Sequence, residues 1–234
     1  MEKVIISLRT ADADDAWTDQ MRGPVAEALL DLGLPGLTLN IRDAPVRDSL
    51  MTLTTLDPPV QGFVSVWSHQ HYGEQVRAAL GLLTPMAAHV AAYLVTESVP
   101  MPPPASPPGQ RAEGLANMAM LRRPAELDVA TWVRRWLVDH TPVAIATQST
   151  FGYVQNCVAR ALTADAPEVA AIVEELFPIE AVASLHAFFG AVDDADLQDR
   201  LGKMVASTAA FGANVNIDTV ATGRYVYRDP FPAE

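Results

Sequence analysis

Residues 128–156 read DVATWVRRWLVDHTPVAIATQSTFGYVQN, and the order within them sets the architecture expected for the chain. Asp128 is a good helix N-cap residue. Trp132, Trp136 and His140 follow at four-residue spacing, so all three project from one helix face. Pro142 has no N–H to give the Val138 carbonyl, which frees that acceptor beside the imidazole. After a turn, residues 151–160 take up the alternation of a strand, with Tyr153 and Gln155 on one face and Asn156 on the other. Helix, turn and strand therefore follow directly on one another.

Working outward, residues 115–122 predict a strand before this helix. Residues 170–177 (AAIVEELF) predict another after it. Residues 179–211 read as helix with a break near Gly190, and 215–227 as a last strand. The order is β-α-β-β-α-β, the ferredoxin-like arrangement. Upstream the same order recurs. Residues 3–9 predict a strand, and Asp12, Asp14 and Asp15 open a helix to about Leu32 whose stripe is Trp17, Met21, Val25 and Leu29. Gly33 and Pro35 end it. Strands at 36–42 and 62–67 follow, then a helical pattern over 72–92 kinked by Pro85, then a strand at 94–99. Between the two halves lies PMPPPASPP, residues 100–108, with six prolines in nine positions. It reads as a stiff, extended connector. The expected organisation is a divergent half over 1–99, a linker over 100–114 and a second half over 115–234.

The halves also match in residues. Gly23-Pro24-Val25-Ala26 parallels Thr141-Pro142-Val143-Ala144, Gly36 and Asn40 parallel Gly152 and Asn156, and residues 64–67 parallel 174–177. A lone half would expose an apolar sheet face, at a cost of about 25 cal/mol per Å². The expected fold class is α+β, with two ferredoxin-like halves packed sheet to sheet as an α+β barrel within one chain. Homodimerisation is compatible with this but not required.

Composition narrows the function. A net charge of −12 argues against nucleic acid and against an anionic membrane surface as partners. One cysteine, Cys157, excludes an internal disulfide and suggests a reducing cytoplasm. The N-terminal apolar run is too short for a signal peptide, and no run reaches the ~20 residues of a membrane span. The phosphate-binding, dinucleotide-binding, zinc-protease and serine-hydrolase motifs are missing.

The second half resembles the EthD family of the dimeric α+β barrel superfamily. The likeness rests on Leu121-Arg122-Arg123-Pro124, on Trp132, Trp136 and His140-Thr141-Pro142-Val143-Ala144, and on Tyr153-Val154-Gln155-Asn156. A glutamate before an aromatic on the third strand, Glu174 or its neighbour Glu175 ahead of Phe177, is similar too. The resemblance implies the barrel. It implies activity only loosely, because the superfamily holds cofactor-independent monooxygenases, polyketide cyclases and dismutating enzymes.

Comparing the halves singles out the polar residues of the second. His140 faces Arg22 or Gly23 in the alignment, Tyr153 faces Leu37, Gln155 faces Leu39, and Glu174 faces Val64. His140, with an ordinary pKa near neutrality, is the candidate acid or base, or else a histidine satisfied at a helix end. Tyr153 and Gln155 would hold a carbonyl or hydroxyl. Glu174 would tune His140 or pair with Arg122. Trp132 and Trp136 would line a ligand pocket or simply fill the core. His69 and His71 lack an evident third ligand, so no metal site is expected. Three readings remain open: a cofactor-independent enzyme acting on a small apolar or aromatic molecule, a non-catalytic binding or assembly protein, and haem or metal handling through a histidine. An enclosed, partly apolar cavity reached by His140 is required by the first.

Overall fold

The computed structural model describes residues 1–231, so residues 232–234, the end of the expected second half, lie outside the described residues. Eight strands among the described residues form one closed barrel: β1 (Glu2–Arg9), β2 (Gly36–Ile41), β3 (Val60–Ser68), β4 (His89–Met101), β5 (Leu115–Leu121), β6 (Gly152–Ala161), β7 (Ala171–Phe177) and β8 (Asp218–Arg228). Their order around the barrel is β1-β3-β2-β8-β5-β7-β6-β4, with antiparallel neighbours. The strands before residue 102 run β4-β1-β3-β2, and those after it run β8-β5-β7-β6. The sheets do not merely face each other. β2 pairs with β8 and β4 with β6, so no strand edge is left open.

Alternation sorts each strand into an inner and an outer set. On β1, Val4, Ile6 and Leu8 face outward against the helices, while Ile5 joins the core inside the barrel. The outer face of the first half is covered by α1 (Asp15–Gln20), a π-helical turn (Met21–Val25), α2 (Ala26–Asp31) and α3 (Glu74–Leu83). That of the second half is covered by α4 (Val129–Val133), a π-helical turn (Arg134–His140), α5 (Thr141–Thr147), α6 (Leu185–Phe189) and α7 (Asp194–Phe211). Asp14 caps α1 by accepting from the Trp17 amide at 2.8 Å, and Asp128 caps α4 by accepting from the Thr131 amide at 3.0 Å. Each π-helical turn contains or adjoins a proline, Pro24 or Pro142, whose missing N–H breaks the regular ladder. Beside the second break Thr141 Oγ1 donates to the Trp136 carbonyl at 3.3 Å.

Two expected boundaries are corrected. The helix predicted over 72–92 stops at Leu83, tightens into a turn at Thr84–Met86, and gives way to β4 from His89. Pro85 ends the helix outright, and the alanine-rich residues beyond it are claimed by pairing with β1. The proline-rich connector begins later than expected, because β4 continues to Met101, which pairs with Tyr153. Among the described residues no helix is long and apolar enough to cross a membrane.

Candidate active site

Strand register places three polar side chains in a row on the outer face of the second half. Glu175 on β7 is the cross-strand partner of Asn117 on β5 and of Tyr153 on β6. All three are buried. The same row in the first half is Val4 on β1, Val66 on β3 and Leu37 on β2, paired in the same way. The barrel thus builds this row from apolar side chains where it needs only a core.

Above the polar row the helices leave a cavity of about 230 Å³. Trp136 and His140 reach it from the π-helical turn, Phe211 and Thr208 from α7, and Gln148 from beyond α5. His140 Nδ1 lies 2.9 Å from Ser207 Oγ on α7, and its ring packs 4.8 Å from that of Phe211. The Gln148 amide, turned to suit its neighbours, donates to Glu175 Oε1 at 3.1 Å. Trp136 Nε1 and Asn117 Oδ1 are buried without a partner.

Burial keeps the cavity electrically neutral. It pushes the Glu175 carboxyl up to about 8, so the acid form prevails at neutral pH. It pushes His140 down to about 4, so the imidazole is uncharged there. Tyr153 is held well above the usual phenol range, first by burial and then by the nearby Glu175 charge, with a Gln155 hydrogen bond working the other way.

The residues singled out from sequence separate into three groups. His140, Tyr153 and Trp136 come together at the cavity. Gln155 and Trp132 stand behind its wall: Gln155 Nε2 donates to Thr141 Oγ1 at 2.7 Å, and Trp132 Nε1 donates to the Phe211 carbonyl at 3.1 Å. Glu174 is a correction. It faces the barrel interior, where Oε1 accepts from Asn40 Nδ2 at 2.8 Å and from Arg224 Nε at 3.0 Å. It neither tunes His140 nor pairs with Arg122, which binds Asp218 at 2.6 Å instead. The cause is a one-residue slip in matching the halves: by register Ser65 corresponds to Glu174 and Val66 to Glu175. Asn117 was not singled out at all, although its register match with Val4 marks it.

A second cavity of about 370 Å³ lies at one end of the barrel interior, beneath the proline-rich connector. Four of its charged residues pair, Lys3 with Glu97 and Arg224 with Glu174, while Asp229 also lines it. His71 bonds Glu2 at 2.8 Å, and among the described residues no three His, Cys, Asp or Glu side chains are grouped to hold a metal ion.

No family model matches the chain, and no curated protein matches it in sequence. Among solved structures, an anthrone oxidase-like protein aligns with 100% of this chain and 96% of its own, with a TM-score of 0.54 at 10% identity. The chain has the α+β barrel fold. A Lactobacillus acidophilus protein provisionally described as a monooxygenase covers 97% of this chain and 96% of its own at TM-score 0.47 and 10% identity. A chlorite dismutase from Candidatus Nitrospira defluvii covers 95% and 90% at TM-score 0.45 and 9% identity.

Proposed function

We propose that this α+β barrel is an enzyme that moves protons on a small, uncharged aromatic or otherwise apolar molecule without a bound cofactor. The observation that carries the reading is the exchange of Val4, Val66 and Leu37 for Asn117, Glu175 and Tyr153 at matched register beneath a cavity. Burying polar groups costs stability unless they are hydrogen-bonded, so a row of them in place of apolar side chains calls for a use. The first half shows that the fold does not need them.

In this reading His140 is the base. With Nδ1–H donating to Ser207, Nε2 is the ring's free acceptor. A proton taken from a carbon next to a carbonyl enters at Nε2, and one can leave at Nδ1 through Ser207, so a poorly solvated imidazole need not stay charged. The electron pair left behind moves to the carbonyl oxygen. The Tyr153 hydroxyl and the un-ionised Glu175 carboxyl are donors suited to that developing negative charge. Glu175 takes the role first given to Glu174. Trp136 lines the site, while Trp132 and Gln155 hold its wall. The stabilised enolate can then cyclise, lose water or, with dioxygen as co-substrate, be oxygenated.

Cavity size limits the molecule. An engineered cavity of about 150 Å³ holds benzene, and drug-sized ligands occupy roughly 300–1,000 Å³. About 230 Å³ fits one ring or a fused pair. The same proposal takes the chain as EthD-like and as a tandem of ferredoxin-like halves, 1–99 and 115–234 joined by 100–114. The repeated strand order supports that division. The single cysteine and acidic charge favour a cytoplasmic setting, and the barrel closes without a second copy.

The test uses proton exchange, which needs no knowledge of the final product. Cyclic aryl ketones such as tetralone, incubated in D₂O with the protein, are expected to exchange their acidic C–H faster than in buffer, and His140→Ala should abolish the gain. Equal rates with and without protein, alongside measurable ketone binding, would instead favour a non-catalytic binding protein.

A further inference from the structure

One wall of the second half's cavity comes from the first half. Met51 and Leu53, in the connection between β2 and β3, line it together with Thr219 on β8. Leu53 and Thr219 exchange both backbone hydrogen bonds, at 3.0 and 2.9 Å, and form a single β-bridge. Leu53 lines the cavity and yet is 52% exposed, which puts it at the mouth.

The connection is clamped on either side of this leucine. The buried Asp218 accepts from the Thr55 amide, from Thr55 Oγ1 at 2.8 Å and from the Leu56 amide at 3.1 Å. Arg122 binds Asp218 in turn. Arg9 donates to the Asp57 and Pro58 carbonyls at 2.7 and 3.1 Å. Upstream, the Leu50 amide donates to the Val182 carbonyl at 2.9 Å.

The internal repeat again supplies a control. The matching connection, between β6 and β7, makes the matching contact: the Leu162 amide donates to the Ala92 carbonyl on β4 at 2.7 Å. By register Thr219 and Asp218 stand where β4 has Ala92 and Ala91. There the leucine is half-buried against the packed outer core of the first half. Over the second half the leucine stands above a cavity, and the alanine beside it has become the carboxylate of the clamp. The first half does without both features.

We propose that Leu53, fixed by the Asp218 clamp, is the specificity residue that sets how large an aromatic molecule the cavity admits. This deepens the functional reading above and rests on the same cavity being the ligand site. A loose loop would yield to a larger ligand. A clamped leucine does not, because displacing it breaks two backbone hydrogen bonds to Thr219. One ring or a fused pair passes beneath it, and a third ring meets it. Arg122, in the run Leu121-Arg122-Arg123-Pro124, acts through Asp218 as part of that clamp.

The experiment compares three uncharged aryl ketones on the intact protein by titration calorimetry: acetophenone with one ring, 1-tetralone with a fused pair and 9-fluorenone with three rings. 1-Tetralone is expected to bind about tenfold more tightly than 9-fluorenone. Leu53→Ala should raise the affinity for 9-fluorenone about tenfold and so erase that preference. Leu53→Trp should weaken 1-tetralone about tenfold by filling the mouth, and acetophenone less. Leu50→Ala, at a 60% exposed site on the same connection, is the control and should change nothing. Urea unfolding checks that these variants, all at exposed positions, remain folded. In the parent, the Leu53 amide should exchange with solvent as slowly as the amides of β8.

Equal affinity for 1-tetralone and 9-fluorenone in the parent would overturn the proposal, as would a preference that neither Leu53 substitution moves. So would an equal effect of Leu50→Ala, or a Leu53 amide that exchanges as fast as an unstructured one. No binding of any ketone at millimolar concentration would overturn it together with the cavity as a ligand site. Ketone binding that ignores Leu53 removes the specificity residue and leaves the enzymatic reading. Size selection by Leu53 without proton exchange does the reverse.

Discussion

Glu175 and Val66 occupy equivalent places in the barrel: Glu175 pairs with Asn117 and Tyr153 as Val66 pairs with Val4 and Leu37. One scaffold position therefore carries a carboxyl in one half and an isopropyl group in the other. The difference has a thermodynamic signature. Glu175 titrates at about 8 when folded, against 4.5 for the free group. Between those values the folded chain holds a proton that the unfolded chain has released, so stability falls as pH rises. The slope from this one group is about 1.4 kcal/mol per pH unit. Glu175→Gln should remove that slope and be more stable than the parent at pH 8, with the gap closing toward pH 5. Urea unfolding across this range checks it; parallel profiles for the two proteins would rule out a buried acid here.

His140 acts with the opposite sign. Its folded value of about 4 lies below the free value of 6.5, so the unfolded chain binds the extra proton in between. The stability it contributes is complete above pH 6.5 and is lost as pH falls toward 4. Over roughly pH 4.5 to 6.5 this loss on acidification offsets the gain from Glu175, leaving a flat profile that declines only above neutrality. His140→Gln should expose the Glu175 slope over the whole range. In the parent protein, the His140 ring resonances should not shift until the pH nears 4.

Glu174 should behave as a structural residue. Its carboxylate pairs with Arg224 inside the barrel, with side-chain exposures of 8% and 15%. Glu174→Ala leaves that guanidinium buried and unpaired, a loss on the order of 3–5 kcal/mol. Ketone exchange and ketone affinity, measured at a temperature where the variant is folded, should be close to those of the parent. A selective loss of exchange without loss of stability would return Glu174 to the site.

The two tryptophans give a matched contrast. Trp132→Phe removes a donor to the Phe211 carbonyl and should cost about 1 kcal/mol more than Trp136→Phe, which removes no hydrogen bond. Both lose similar volume. Denaturant midpoints compare them directly.

The strand order was legible in the sequence because period-two alternation and the four-residue stripes of the helices are strong local signals. Trp17, Met21, Trp132 and Trp136 all lie on the buried faces those stripes define. The end of α3 was not legible. Ala87, Ala88, Ala91 and Ala92 suit a helix, and only pairing with β1 turns the last two into strand. The site was half legible. His140 and Tyr153 stood out as polar residues facing apolar counterparts. Glu174 was chosen over Glu175 because adjacent residues of one type look alike in sequence, and strand register alone says which faces the helices. Asn117 in LANMAML carries no local signal.

The seams β2–β8 and β4–β6 bear on how such a site could arise. Were the two halves separate identical chains meeting about a twofold axis, every substitution would appear twice, and two destabilising polar rows would have to be tolerated together. Within one polypeptide the halves answer to different constraints. The side built on Val4, Val66 and Leu37 can stay a solid buttress while its counterpart accumulates Asn117, Glu175 and Tyr153. Asymmetry of this kind lets one barrel carry a single polar chamber and keep the opposite side apolar.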